Sequence, residues 1–208
     1  TTKGESALDT LKNIEAMALT TGSGNDTITG HQSSAMADSV KSGAGSDSIR
    51  LWMGGSDTVD GGAGSDVLTV TYNVVSNGVW LTNLAADTVS GGYKGLFDGY
   101  GSNDVWFSGI ERFSFTDASG GNDNIRTGDG ADTLNGGAGD DRLDGKGGAD
   151  VIDGGLGKDH WGGHFATVGV GPLLHFGREL NLQAPGHDHA VFSFHDVGHA
   201  ALAGLAVD

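Results

Sequence analysis

The fold is decided by one stretch of the chain, GGAGDDRLDGKGGADVIDGGLGKDHW, which spans residues 136–161. Asp141, Asp150 and Asp159 lie nine residues apart, and each precedes an apolar residue by two positions. This period matches neither the 3.6 residues of an α-helical turn nor the two-residue alternation of a β-strand. A glycine, aspartate and apolar repeat at nine residues predicts a coil of short strands joined by tight turns.

The same register extends over two blocks of the chain. Its ten aspartates are Asp26, Asp38, Asp47, Asp57, Asp66, Asp123, Asp132, Asp141, Asp150 and Asp159. Two residues after each aspartate stands an apolar residue: Ile28, Val40, Ile49, Val59, Leu68, Ile125, Leu134, Leu143, Ile152 and Trp161. We expect two units, eighteen residues, to complete one coil, with these side chains forming a single layer between two thin sheets.

Glycine recurs in the turns of both blocks. It stands two residues before the aspartate in nine of the ten units, and Met36 is the exception. Because glycine accepts positive φ without steric cost, glycine-rich segments of six residues can turn sharply. The candidate turn glycines are Gly22, Gly24, Gly43, Gly45, Gly55, Gly62, Gly64, Gly121, Gly128, Gly130, Gly137, Gly139, Gly148, Gly155 and Gly157.

The aspartates predict metal sites at these turns. Rungs of a parallel sheet lie about 4.8 Å apart, so carboxylates eighteen residues apart stack at that spacing. A Ca²⁺ ion between two of them would have Ca–O distances of about 2.4 Å, and roughly four to eight ions would fit. We expect turn carbonyls, free because the turns have no ladder, to complete each shell. A metal-free solenoid is the alternative, although its column of like charges would repel.

Particular aspartates are expected to pair. The candidate pairs are Asp123/Asp141, Asp132/Asp150, Asp141/Asp159, Asp26/Asp47 and Asp47/Asp66. Insertions of three residues and of one residue interrupt the first block, so the pairing of Asp38 with Asp57 is doubtful.

Composition supports a cation-binding protein. The formal net charge is −16, and 23 aspartates stand against 4 glutamates, which favours a role for the short reach of the aspartate carboxylate. Such a charge argues against nucleic acid as a partner. The absence of cysteine excludes disulfides and thiol catalysis. No apolar run approaches the roughly 18 residues of a membrane span, so no transmembrane segment is predicted.

Three units carry a family resemblance: GGAGDDRLD (136–144), GKGGADVID (145–153) and GGAGSDVLT (61–69). They resemble the calcium-binding nonapeptide of RTX (repeats-in-toxin, hemolysin-type) proteins, G-G-x-G-x-D-x-U-x. The units SSAMADSVK (33–41) and ASGGNDNIR (118–126) depart from it. The resemblance implies an all-β fold of parallel β-roll blocks, Ca²⁺ at the turns, and secretion from a Gram-negative bacterium through the type I secretion machinery.

Five segments follow from these patterns. They are the tail of a preceding β segment (1–20), the first roll block (21–69), a β-rich insertion (70–117), the second roll block (118–162) and a C-terminal β-rich cap (163–208), where the resemblance places a secretion signal. The chain opens TTKGES, without methionine, and we expect it to be a piece of a longer protein.

The insertion is predicted to be antiparallel. VLTVTYNVV, NGVWLTNL, DTVSG and DVWFSGIERFSF alternate apolar and polar residues. Its aromatic side chains would form either a small core, which we favour, or a ligand-binding face. They are Tyr72, Trp80, Tyr93, Phe97, Tyr100, Trp106, Phe107, Phe113 and Phe115.

Two further features stand outside the repeat. An Ile-Glu pair precedes each block, in LKNIEAMALTTGSGNDTITG (11–30) and FSGIERFSFTDASGGNDNIRTG (107–128), which indicates a larger duplication of about 97 residues. Seven of the eight histidines lie in 160–199. The pairs His187/His189 and His195/His199 would suit a transition metal, or are ordinary half-exposed residues of the cap, which we favour.

No G-x-S-x-G, H-E-x-x-H or P-loop motif occurs, and the paired carboxylates belong to the repeat. We therefore predict that this chain is not an enzyme but a calcium-binding module that folds on extracellular calcium. The alternatives are the non-catalytic C-terminal part of a secreted hydrolase, protease or toxin, and a segment of a repeat-built adhesin or surface-layer protein.

Overall fold

Short strands make up the computed structural model, which describes residues 10–11, 18–30, 36–52, 54–73, 77–101, 103–162 and 165–169. These ranges contain nineteen strands and no helix. Among the residues described, then, no helical segment is long and apolar enough to cross a membrane.

The first sheet runs through both blocks without interruption. Its eight strands, in spatial order, are β1 (Thr10–Leu11), β3 (Thr27–Thr29), β6 (Ser48–Trp52), β9 (Val67–Tyr72), β13 (Arg112–Asp117), β15 (Thr133–Asn135), β17 (Asp150–Asp153) and β19 (Phe165–Gly169). Every neighbouring pair in this sheet is parallel.

The second sheet also runs through both blocks. Its nine strands, in spatial order, are β18 (His160–Gly162), β16 (Arg142–Asp144), β14 (Asn124–Arg126), β10 (Trp80–Ala86), β11 (Tyr93–Asp98), β12 (Asp104–Ile110), β7 (Ser56–Asp60), β4 (Ser39–Lys41) and β2 (Ala18–Thr20). Only the pairs β10–β11 and β11–β12 are antiparallel. A third sheet joins β5 (Ala44–Gly45) to β8 (Ala63–Gly64) in the turns of the first block.

Within the blocks the chain alternates between the first two sheets, as the nine-residue period predicts. In the second block, residues eighteen apart are partners in the ladder, for example Ile125 with Leu143. In the first block the insertions lengthen the coil, and Ile28 pairs with Ile49. The all-β parallel β-roll is confirmed.

The apolar layer between the sheets is the core of the roll. All ten apolar residues of the repeat are buried, and each has at most 3 % of its surface exposed to solvent. A three-residue strand places its middle side chain on the inner face, so each unit contributes one core residue. Full burial of such a side chain stabilises the fold by about 1.5–3 kcal/mol.

The insertion carries the aromatic core that we favoured. Phe97 lies at its centre, with its ring centroid 5.5 Å from that of Phe107 and 6.0 Å from those of Phe113 and Phe115. Tyr72 packs against Phe115 from the edge of this cluster. The other aromatic residues differ in exposure: Tyr93 is partly buried, and Trp80, Tyr100 and Trp106 are exposed.

The predicted antiparallel arrangement of the insertion is only partly right. It holds for β10, β11 and β12, but β9 and β13 pair with each other in parallel and continue the roll. The segment DTVSG is wrong as a strand, because it forms a turn in which Oδ1 of Asp87 accepts the N–H of Val89 (2.9 Å).

Several expectations lie outside the described residues. These are the histidine pairs of the tail, the first Ile-Glu pair (14–15) and most of the segments 1–20 and 163–208. Within the last segment, β19 is described, and it adds one parallel strand beside β17. The five domain boundaries stay predictions.

Candidate metal sites in the turns

Two columns of aspartates run along the roll, one at the start of the strands of each sheet. The first-sheet column contains Asp26, Asp47, Asp66, Asp132 and Asp150, and the second-sheet column contains Asp38, Asp57, Asp123, Asp141 and Asp159. Each aspartate is at most 7 % exposed. The repeat therefore places ten acidic side chains in the interior of the turns.

Within each block, hydrogen bonds link aspartates on adjacent rungs, because the backbone N–H of one donates to Oδ1 of the other. In the first block these bonds join Asp26 to Asp47 (2.7 Å), Asp47 to Asp66 (2.8 Å) and Asp38 to Asp57 (2.8 Å). In the second block they join Asp123 to Asp141 (2.8 Å), Asp132 to Asp150 (3.0 Å) and Asp141 to Asp159 (3.2 Å).

All the predicted pairs are therefore neighbours, and the doubt about Asp38 and Asp57 was wrong. The insertions do not disturb the ladder that follows them, since β4 and β7 pair in register, with Val40 opposite Val59.

The second carboxylate oxygen is the unusual feature of these sites. Oδ2 of Asp47, Asp66, Asp123 and Asp141 is buried and has no hydrogen-bond partner. Burial of a carboxylate oxygen without a partner costs free energy, and a cation can offset that cost. These oxygens are the atoms to which a metal ion would bind.

The environment disfavours the charged carboxylates. Burial raises the pKa of Asp57, Asp66, Asp132 and Asp141 from 3.8 to about 7, and that of Asp123 to about 8. The aspartate on the adjacent rung raises each pKa further, and the accepted hydrogen bonds oppose the rise. At neutral pH the folded columns therefore require protons or cations to neutralise them.

Acidic and histidine side chains do not gather in threes anywhere in the described part of the chain. A cation in the columns would thus have few carboxylate ligands and would depend on backbone carbonyls. Those carbonyls are less free than we expected. The N–H of Ala63 donates to the carbonyl of Gly43 (2.8 Å), and the N–H of Leu156 donates to that of Gly137 (2.7 Å).

The expectation that the turns have no ladder was therefore wrong. The turn residues stack so closely on the next rung that their backbones pair, as β5 and β8 do. A carbonyl oxygen has two lone pairs, so a ladder bond leaves one for a cation.

The turn glycines meet two different requirements. Of the candidates, Gly24, Gly43, Gly45, Gly55, Gly62, Gly64, Gly121, Gly137, Gly139, Gly148, Gly155 and Gly157 have positive φ. Gly22, Gly128 and Gly130 do not, so the argument from positive φ was wrong for these three. A Cβ at Gly128 would overlap the Tyr93 ring, and one at Gly130 would overlap the Glu111 carbonyl.

Sequence reasoning missed a further column of glycines, which stands five residues before the aspartate. A Cβ at Gly61 would lie 2.8 Å from Oδ2 of Asp66, and one at Gly154 would lie 2.5 Å from Oδ2 of Asp159. Gly136 and Gly145 meet Asp141 and Asp150 in the same way. The signal that could have found them is the first glycine of the units that begin Gly-Gly or Gly-Lys.

These donors fit calcium. They are oxygens throughout, carboxylate and carbonyl, which is the ligand set that hard divalent cations prefer. The unpartnered Oδ2 atoms leave negative charge uncompensated in the turns, and the glycines beside them leave space. Ca²⁺ would supply two positive charges there. By fold and site, the protein is a parallel β-roll with acid columns suited to cations.

Comparison with known proteins gives the family. The family model for the RTX calcium-binding nonapeptide repeat matches in four copies, at residues 18–49, 33–68, 117–152 and 126–160. No curated protein and no solved structure matches the chain. The repeats and the β-solenoid together fit an RTX β-roll protein, and the repeats imply calcium binding.

Proposed function

We propose that this chain is the calcium-binding module of a secreted bacterial protein, and that it folds when it meets extracellular calcium. The observation that carries the proposal is the set of buried, unpartnered Oδ2 atoms in the acid columns. The match to the RTX repeat supports calcium as the cation.

The ligands would come from both columns. The Oδ2 atoms of Asp47, Asp66, Asp123 and Asp141 are buried without a hydrogen-bond partner and would bind the ions together with turn carbonyls. The Oδ1 atoms hold the rungs together through the N–H of the preceding aspartate and keep each carboxylate in place. The glycines beside Oδ2 supply space that any larger residue would fill.

Coupling of binding to folding follows from this arrangement. The columns exist only in the coiled chain, so calcium binds the folded state and stabilises it by mass action. At low cytoplasmic calcium the acidic, glycine-rich chain would stay unfolded and suitable for the type I secretion machinery. Extracellular calcium modules bind Ca²⁺ with dissociation constants that approach the millimolar range. Outside a Gram-negative cell, calcium at such a concentration would fold the chain into the roll. The module itself would have no catalytic activity.

Circular dichroism tests this proposal. The purified chain in EGTA should lack β structure and should gain it when Ca²⁺ is titrated to millimolar concentration. Mg²⁺ at the same concentration is the matched control, and we expect it to be much less effective, because it demands a small octahedral site. A β spectrum that is identical with EGTA and with Ca²⁺ would overturn the proposal.

A further inference from the structure

The Ile-Glu pair at 110–111, which the nonapeptide repeat does not explain, ends one of the acid columns. Arg112 of β13 pairs with Val67 of β9, so the preceding residue, Glu111, stands opposite Asp66. The N–H of Asp66 donates to Oε2 of Glu111 at 2.7 Å. This is the same bond that joins one aspartate to the next elsewhere in the columns.

The other inner ends of the two blocks lack such an acid. Val105 stands opposite Asp57 in the second sheet. At the start of the second block, the N–H groups of Val79 and Phe113 donate to Oδ1 of Asp123 and Asp132, respectively. Glu111 therefore adds one acidic rung to its column, whereas an apolar residue occupies the corresponding position at the other inner ends.

A second observation at this place points to a ligand. Asp66 is fully buried, and its Oδ2 has no hydrogen-bond partner. The carbonyl oxygen of Gly109 lies near Oδ2 of Asp66, because a Cβ at Gly61 would contact both oxygens. A buried carboxylate oxygen and a backbone carbonyl thus converge at Gly61, and the carboxylate of Glu111 is held on the adjacent rung by the N–H of Asp66.

Gly92 leaves space beside the carboxylate of Glu111. A Cβ at Gly92 would lie 2.5 Å from Oε1 of Glu111, so a larger residue at this position would displace the carboxylate. Arg112 is the neighbouring cation, but its buried Nε makes no hydrogen bond.

We propose that Glu111 and Asp66 together hold a calcium ion at the junction between the first block and the insertion. This inference rests on the proposed function and adds to it a site outside the nonapeptide units. Glu111 is a ligand here rather than only an acceptor for the N–H of Asp66.

Isothermal titration calorimetry with CaCl₂ tests the site through the variant Glu111→Gln. Glutamine keeps an oxygen that can accept the N–H of Asp66 but removes the charge. We expect Glu111→Gln to bind one ion fewer than the natural chain, or to bind one ion at least tenfold more weakly. The control Asp98→Asn removes one charge in β11, outside both columns, and should keep all the ions. Glu111→Asp restores the carboxylate used on the other rungs and should recover the lost ion.

Each outcome separates this inference from the proposed function. If the natural chain binds no calcium, the proposed function fails. If the natural chain binds calcium and Glu111→Gln binds the same number of ions with the same affinities, only the site at Glu111 is refuted.

If Glu111→Gln does not fold, NMR spectroscopy of the natural chain provides a second measurement. Selective ¹³C labelling of glutamate gives four side-chain carboxyl resonances, one for each glutamate. The Glu111 resonance, assigned with Glu111→Asp, should shift when calcium is added. An unchanged resonance at saturating calcium overturns the proposal.

Discussion

The two carboxylate oxygens have different roles in four column aspartates: Asp47, Asp66, Asp123 and Asp141. In Asp141, Oδ1 accepts the N–H of Asp123, and Oδ2 is buried without a partner. The short side chain explains why aspartate dominates, because it keeps the carboxylate next to the backbone of the adjacent rung. The sequence predicted which aspartates pair, but not this division between oxygens, which depends on the dihedral angles of the turn.

Replacement of Asp141 by asparagine should weaken calcium binding, because it keeps the acceptor for Asp123 and removes the charge. We expect the loss of one ion, or a dissociation constant raised by about tenfold or more, equivalent to about 1.4 kcal/mol. Asp140→Asn is the matched control. Asp140 is exposed and accepts the N–H of Lys158, as Asn122 accepts the N–H of Asp140 one rung earlier.

Calorimetric titration of both variants checks this prediction. Equal calcium affinity for Asp141→Asn and Asp140→Asn would show that the buried aspartate is structural only.

At the scale of the elements, the turns depend on close approach between rungs as much as on glycine conformation. Positive φ could be predicted from the glycine pattern, and twelve of fifteen candidates have it. The backbone ladder through the turns could not be predicted, because a nine-residue period does not reveal how tightly successive turns stack. The same limit hid the glycines that stand five residues before Asp66, Asp141, Asp150 and Asp159, for example Gly136 beside Asp141.

A pair of glycine substitutions separates conformation from close approach. Gly101 (φ +86°) and Gly137 (φ +83°) share a backbone conformation, but a Cβ has no neighbour within 4 Å at Gly101 and overlaps the Asp117 carbonyl at Gly137. Gly101→Ala should lower the free energy of unfolding by about 1–2 kcal/mol, the cost of left-handed backbone. Gly137→Ala should cost about 1–3 kcal/mol more through overpacking.

Urea unfolding in saturating calcium measures both changes. Equal losses for the two variants would mean that the turns can move apart at little cost.

At the scale of the whole molecule, two sheets pass through the insertion and make one continuous solenoid. The sequence predicted the blocks and their parallel strands, since the nine-residue period is unbroken in the second block and is recognisable in the first despite two insertions. It did not predict that β9 and β13 pair in parallel across the insertion. A two-residue alternation such as VLTVTY gives the buried face of a strand but not the identity or direction of its partner.

The calcium-free roll should depend on pH in a defined direction. Five column aspartates have pKa values of about 7 to 8 when folded and 3.8 as the ordinary value, so the folded state binds more protons between these limits. Stability without calcium is therefore greatest below about pH 4, and it falls as pH rises through about 7. With saturating calcium the trend reverses, because protons compete with the ion for the same oxygens.

The circular dichroism β signal of metal-free protein between pH 5 and pH 8, and thermal melts of calcium-saturated protein over the same range, test both trends. A metal-free protein that is more stable at pH 8 than at pH 5 would contradict the account of the columns.

We infer that calcium occupies the turns and binds the buried aspartate oxygens. The most direct measurement is a crystal structure grown in millimolar CaCl₂, with an anomalous difference map calculated for calcium. We expect anomalous peaks in the turns, at about 2.4 Å from Oδ2 of Asp66 and Asp141. Turns without anomalous density, with those carboxylates directed into solvent, would contradict it.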